Sequence, residues 1–357
     1  MEMPSLWARV LPMGETQFYQ SHLDRVSRSF AFCISRLEGE MRDWVSLSYL
    51  LCRLLDTVED APWSSAEAQG AAFDKFQDFL QSPPSGQQVM AWAALFPANI
   101  DSGEAMLLAD SHRCFANLHA LPEMVREKIR QPVMNMYRGM RHFLAERKGA
   151  GTLRLKSIAE VNQYCFFVAG LVGELLTDLV SQRWPSIPRS QRQYLDAHHF
   201  GLFLQKINLL KDQAKDEKEG RYLVPSRPEL LASVARDAEG AIRYLQSLPV
   251  AEKGFRLFCA WSLFIGLASL PWIERSKLLG LFLKIPRVVT ERLIGSVEKI
   301  IDDNQALVRL FREMLPTLPR ASEPSGPLHD IPWMGSLYQG QLRPEDFREL
   351  GLCPIAA

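Results

Sequence analysis

Apolar residues recur three and four positions apart along most of the chain, and alternating runs of Val, Ile and Thr are almost absent. That is the pattern of amphipathic helices, not of half-buried strands. Prolines punctuate it at intervals that suit helices, at Pro62, Pro83, Pro84, Pro97, Pro122, Pro185, Pro188, Pro225, Pro228, Pro249, Pro271, Pro286 and Pro316. Between them the period predicts helices at roughly 15–27, 29–37, 40–60, 65–81, 102–119, 122–147, 156–183, 189–218, 228–247, 252–270 and 288–315. No internal repeat or long linker divides them, so the expectation is one all-α domain over residues 1–320, a helical bundle. Residues 321–357 carry Pro, Gly and aromatics without a long period. They are expected to form an irregular tail docked on the same domain, because Ile331, Trp333, Met334, Leu337 and Tyr338 need cover.

Two helices break the simple apolar pattern in the same way. At about 100° per residue, Tyr49, Arg53, Asp56 and Asp60 form one stripe, while Leu50, Leu51, Leu54 and Leu55 take the flanks and back. Buried carboxylates are costly unless paired or bound to a metal. The stripe is therefore either a solvated helix end with an Arg53–Asp56 pair, or one wall of a polar cavity. Gln205, Asn208, Asp212 and Asp216 form a second stripe of the same design, packed by Leu202, Leu204, Ile207, Leu209 and Leu210. Two helices that each carry Asp-x-x-x-Asp are a rarer constellation than either alone. Their carboxylate and amide oxygens suit a hard divalent cation such as Mg²⁺, which keeps some waters and completes its shell with substrate phosphates.

Arg28, Arg53, Lys211, Lys215, Lys218 and Arg221 are available as counter-charge for a polyanion, although some of these lysines are simply solvated helix face. No Walker-type glycine-rich loop is present, which argues against phosphoryl transfer from a nucleotide. No His/Cys set has zinc spacing, and His198–His199 reads as surface or packing. A third run, Tyr164 to Thr177, places the small residues Ala169, Gly173 and Thr177 on one side, a pattern that plain helix packing explains by itself.

Composition narrows the partners. Over 357 residues, Lys+Arg and Asp+Glu both number 41, so no basic field recruits nucleic acid. The six cysteines (33, 52, 114, 165, 259 and 353) form no C-x-x-C pair and read as buried thiols of a reducing compartment. The N-terminus lacks the basic start and apolar run of a signal peptide, so a cytoplasmic location is expected. Leu257–Ile273 carries no charge. It reads as a buried helix beside an apolar cavity, with a peripheral contact to the inner membrane face left open. With Cys353-Pro-Ile-Ala-Ala at the end of the sequence, no C-terminal anchor is expected.

Four of these stretches together resemble the squalene/phytoene synthase family, the head-to-head branch of the trans-isoprenyl diphosphate synthases. They are SRSF at 27–30, LDTVED at 55–60, YCFFVAGLVG at 164–173, and FGLFLQKIN at 200–208 running on to Asp216, in the family's order. The FLQKxN string and Arg53 before LLDTVED are more similar to the squalene synthase branch than to the phytoene synthases. Lys215 departs from the family, which usually has an acidic residue before the last Asp. The absence of the membrane helix of the eukaryotic enzymes implies a bacterial-type soluble form.

The resemblance implies an isoprenoid-synthase bundle around a central cavity that binds two farnesyl diphosphates with Mg²⁺, or Mn²⁺ in its place. Asp56, Asp60, Asn208, Asp212 and Asp216 would hold the metal, with Glu59 as ligand or outer shell. Arg28, Ser29, Arg53, Gln205, Asn208 and Arg221 would contact substrate, while Tyr49 and Tyr164 would stabilise cations or relay a proton. Phe167, Leu171, Leu175, Phe258, Trp261 and Leu263 would surround the isoprenoid tails. NADPH would deliver a hydride, with Arg28, Arg53, Lys284 and Arg287 as its basic contacts; Lys284-Ile-Pro-Arg287 matches the family's basic segment only loosely. Three outcomes stay open: squalene by way of presqualene diphosphate; a non-reducing relative that makes dehydrosqualene, phytoene, presqualene diphosphate or hydroxysqualene; and a non-catalytic family member. Monomer and homodimer both fit.

Overall fold

The computed structural model describes residues 14–150, 152–185, 190–281, 283–315, 326, 328–334, 342 and 344–352. It comprises two compact units, Met1–Leu121 and Pro122–Ala357. Among the described residues the fold is all-helical apart from one two-residue ladder.

The first unit contains α1 (Gly14–Val26), α2 (Arg28–Ile34), α3 (Gly39–Asp60), α4 (Ala66–Gln81), α5 (Gly86–Ala93) and α6 (Ser102–Ala120). The leucines of α3 set its orientation: Leu50, Leu51, Leu54, Leu55 and Val58 are wholly buried, and α3 packs on α1, α4 and α6. Pro62 follows its last turn and disfavours helix at Ala61. Side chains then take up carbonyls that the helix end leaves open. The Trp63 indole donates to Val58 O at 2.8 Å, and the Gln69 amide donates to Val58 O at 3.0 Å and Glu59 O at 2.8 Å. The end of α3 that carries the acidic stripe is thus fixed by α4 and the intervening loop.

Helix α5 is absent from the sequence expectation, since eight residues between prolines are too few to show a period. Its signal is the reciprocal cap of Ser85 and Gln88. Trp92 of α5 lies edge-on to Phe79 and donates to Ala72 O at 2.9 Å, which closes an aromatic core with Phe76 and Phe115.

The second unit contains α7 (Glu123–Ala150), β1 (Leu153–Arg154), α8 (Ile158–Cys165), a π-helical turn (Phe166–Gly170), α9 (Leu171–Arg183), α10 (Gln191–Lys218), β2 (Arg221–Tyr222), α11 (Arg227–Ser247), α12 (Lys253–Leu279), α13 (Arg287–Ile300), α14 (Asn304–Met314) and α15 (Pro344–Glu349). β1 and β2 pair in parallel, too briefly for any alternation to be visible in the sequence. The expected stop at Pro271 does not occur. Leu263, Phe264, Leu267, Leu270 and Ile273 are buried on both sides of the proline and carry the helix through it. The helix expected at 288–315 is two helices, with Asp303 accepting from the backbone of Gln305 and Ala306 to start the second.

Segments Ile158–Arg183 and Lys253–Leu279 are long and apolar enough to cross a membrane, yet 67% and 61% of their apolar windows are buried inside the protein. Cys33, Cys52, Cys114, Cys165 and Cys259 are free thiols, and Cys353 lies outside the described residues. Tail residues Ile331, Met334, Leu342, Phe347, Leu350 and Leu352 are buried. Asn162 donates to Leu350 O at 2.9 Å, so the tail docks on α8. Leu337 and Tyr338 lie outside the described residues.

The small-residue side of α9 and the preceding π turn meets α10, not a ligand. A Cβ on Gly173 would lie 2.0 Å from Ala197 O, and one on Gly201 would lie 2.2 Å from Ala169 O. Each helix therefore offers the glycine against which the other's backbone rests. Gly173→Ala is expected to lower unfolding stability by about 1–3 kcal/mol, the usual cost of overpacking a core. Urea denaturation checks this, and an unchanged midpoint would count against the close approach.

Candidate active site

In the first unit, the stripe of α3 meets a carboxylate that the sequence did not single out. Arg53 donates to the Tyr49 hydroxyl at 3.3 Å, and its guanidinium lies 3.6 Å from Glu104 at the start of α6. The Tyr49 ring packs on Phe30 of α2 at 5.5 Å between centroids. Asp56 is half-buried, Glu59 likewise, and Asp60 is exposed. Burial pushes the Asp56 carboxyl up to about 7; Arg53 opposes this, and Asp60 and Glu104 add to it. A site with four carboxylates and one guanidinium carries an excess of negative charge, which favours a cation. Glu104 was illegible because only the fold brings α6 beside α3. The side chains of Arg28 and Ser29 lie outside the described residues.

In the second unit, the stripe of α10 runs from half-buried Gln205 through exposed Asn208 and half-buried Asp212 to buried Asp216. Lys211 donates to Asn208 Oδ1 at 3.3 Å and lies 3.2 Å from Asp212. Arg221, on β2, donates to Asp216 at 2.7 Å and to Glu219 at 3.0 Å. Two residues expected to serve metal and diphosphate separately are thus bonded to each other. Lys215 points to solvent, 3.9 Å from Glu219.

A buried ion pair sets how α10 is rotated. Lys206 is wholly buried and donates to Ser233 Oγ at 2.6 Å and Asp237 Oδ2 at 2.5 Å, both on α11. His199, one further residue on that side of α10, contacts Asp237 Oδ1 through Nδ1 at 2.8 Å. Burial raises the Asp237 pKa, but Lys206 and His199 together outweigh it and hold the carboxyl below its ordinary value. Because Lys206 sits about 100° round the helix from Gln205, anchoring it to α11 turns the polar stripe to a different side. His198 and His199 are both buried, so packing is the correct one of their two readings. Burial pushes His198 down to about 3, so it is neutral, with its Nδ1 3.0 Å from Gly170 O.

Tyr164 is buried and meets Phe143 edge-on at 5.2 Å. Phe167, Leu171, Leu175, Phe258, Trp261 and Leu263 are all buried in the second unit. Lys284 and Arg287 are exposed at its surface, where Arg287 pairs with Glu291 of its own helix at 2.7 Å.

The squalene/phytoene synthase family profile matches residues 23–293. A squalene synthase of Mycosarcoma maydis is 33% identical over 205 residues, which are 57% of this chain and 34% of that protein. The squalene synthase of Homo sapiens is 32% identical over 204 residues, which are 57% of this chain and 45% of that protein. The chain thus spans less than half the length of either relative. Among solved structures, the complex of TcSQS with the ligand BPH1237 superposes with a TM-score of 0.69 at 25% identity, covering 84% of this chain and 90% of that one.

Proposed function

Because the chain belongs to the squalene/phytoene synthase family, we propose that it is a prenyltransferase that joins two farnesyl diphosphates head to head through presqualene diphosphate and reduces the product to squalene. The observation that carries this reading is the pair of intact Asp-x-x-x-Asp stripes within the family match, one on α3 and one on α10.

The donor set is all oxygen, which fits Mg²⁺ and, less selectively, Mn²⁺. Each stripe offers such a set: Asp56, Glu59 and Asp60 on α3, and Asn208, Asp212 and Asp216 on α10, would hold it. When bound, the metal neutralises a diphosphate of about −3 charge as it leaves. Arg53, held by Tyr49 and Glu104, would take diphosphate oxygens, and Arg28 with Ser29 would serve the same anion. Arg221 is bonded to Asp216, so metal uptake by Asp216 would free that bond for the anion. Gln205 and Asn208 extend the polar stripe toward substrate. The rings of Tyr49 and Tyr164 would stabilise the allylic cation through their π faces, or their hydroxyls would relay the proton lost on cyclopropane closure. Phe167, Leu171, Leu175, Phe258, Trp261 and Leu263 exclude water, which would quench that cation. Lys284 and Arg287, with Arg28 and Arg53, supply positive charge for the NADPH phosphates.

Incubating the protein with farnesyl diphosphate and Mg²⁺, with and without NADPH, and identifying the products tests this. Squalene formed only with NADPH is the expected result. The same hydrocarbon or alcohol with and without NADPH places the chain on the non-reducing branch, and no consumption of substrate defeats the catalytic reading.

A peripheral membrane contact is also proposed. It rests on the exposed Leu278, Leu279, Leu281 and Val288, the first of them 84% exposed, set among Lys277, Lys284, Arg287 and Arg292. The protein should float with vesicles containing anionic lipid, and Leu278→Asp with Leu281→Asp should leave it in the soluble fraction. Equal flotation of both proteins would count against this surface.

A further inference from the structure

We infer that His142, Glu146 and His329 form a zinc-class metal site, separate from the oxygen-donor stripes, that clamps the tail onto α7. His142 and Glu146 are one helical turn apart on α7 and project to the same side. His329 arrives from the docked tail. One ligand atom from each of the three lies within 4.8 Å of the others, and His329 Nδ1 is 4.0 Å from Glu146 Oε2. A tetrahedral shell with bonds of about 2.0–2.1 Å needs separations of about 3.4 Å, within reach of small side-chain rotations. Two imidazoles and one carboxylate, with water in fourth place, are a zinc donor set and a poor one for Mg²⁺. No short sequence motif announces the set, because His329 lies far along the chain from the α7 pair.

Three further features point to a ligand. The Nε2 atom of His142 is buried with no hydrogen-bond partner among the described residues, and buried polar nitrogens are rarely left so. The far side of the His329 ring faces a second carboxylate, with Nε2 3.8 Å from the buried Glu160. The backbone of His329 is gripped at both ends by one side chain, since its N–H donates to Gln163 Oε1 at 2.8 Å and its carbonyl accepts from Gln163 Nε2 at 3.1 Å. Phe143 lies edge-on to both imidazoles, at 5.4 and 5.2 Å, and walls the cluster on its apolar side.

The site is independent of the proposed reaction and is tested without it. The purified full chain is stripped with a chelator, exposed to Zn²⁺ in a large excess of Mg²⁺ that occupies oxygen-donor sites, passed through gel filtration and assayed for bound metal. The wild type should retain about one zinc per chain and show a higher midpoint of thermal unfolding with zinc than without. His142→Gln and His329→Gln should retain almost none. Glu146→Gln, at a half-exposed position that leaves the core intact, should weaken zinc affinity at least about tenfold with unchanged circular dichroism. Co²⁺ in place of Zn²⁺ should give visible absorption bands of a four-coordinate site in the wild type and lose them in Glu146→Gln. A wild type that keeps no zinc, or zinc kept equally by Glu146→Gln and either histidine variant, overturns the assignment.

Discussion

Asp56→Asn and Asp212→Asn are each expected to slow consumption of farnesyl diphosphate by about 10²-fold or more, the scale on which removal of one preorganised charge contact to a departing anion acts. The two aspartates lie in different helices and different units, so a common loss would tie both stripes to one chemistry. Neither side chain is core packing: Asp56 is half-buried and Asp212 is half-exposed beside Lys211. Far-ultraviolet circular dichroism should therefore stay unchanged. Asp56 adds a pH signature. Burial holds its proton up to about pH 7, and metal binding requires the carboxylate. Mg²⁺ affinity should thus rise with pH toward 7 and level off above it, with proton uptake by buffer on binding at pH 6. Calorimetry in buffers of different ionisation enthalpy measures this, and Asp56→Asn should abolish the proton release. Full activity in both variants would remove the metal assignment.

Lys206→Ala and Asp237→Ala should each cost about 3–5 kcal/mol of stability, because each strands its partner's charge in the core. Lys206→Met combined with Asp237→Leu should recover much of that loss, since a buried pair replaced by apolar groups of similar volume is often close to neutral. His199 and Ser233 also contact this pair, so recovery should stop short of complete. Urea unfolding of the four proteins measures the coupling. A single variant that loses under about 1 kcal/mol would show that water reaches the pair. Retained stability in the double variant with reduced turnover would separate the second role of the lysine, which is to set the rotation of the Gln205–Asp216 stripe.

What could be read from the sequence follows the range of the interactions. The stripes on α3 and α10 were legible because a helix repeats every three to four residues, so the spacing of Asp56 and Asp60, or of Asp212 and Asp216, already fixes a shared face. The helical fold was legible for the same reason. Partners supplied by other elements were not. Glu104 comes to Arg53 from the start of α6, Asp237 comes to Lys206 from α11, and Arg221 turns back on Asp216 from β2. Lys206 sat inside a quoted motif and still looked like any helical lysine, because charge in the core is visible only once its counter-ion is placed. Pro271 misled in the opposite direction, since its local rule yields to apolar packing on both sides.

The two glycines of the α9–α10 seam have a mechanical consequence. With Gly173 under the backbone of Ala197 and Gly201 under that of Ala169, the seam is keyed at two points that face in opposite senses. A slide of either helix by one residue would bring a side chain onto a backbone carbonyl. This part of the molecule therefore cannot adapt by shear, and any adjustment to bulky or branched substrates must come from elements outside it. Amide exchange should be slowest around 169–173 and 197–201, which makes the seam a fixed reference frame for the stripe that α10 carries.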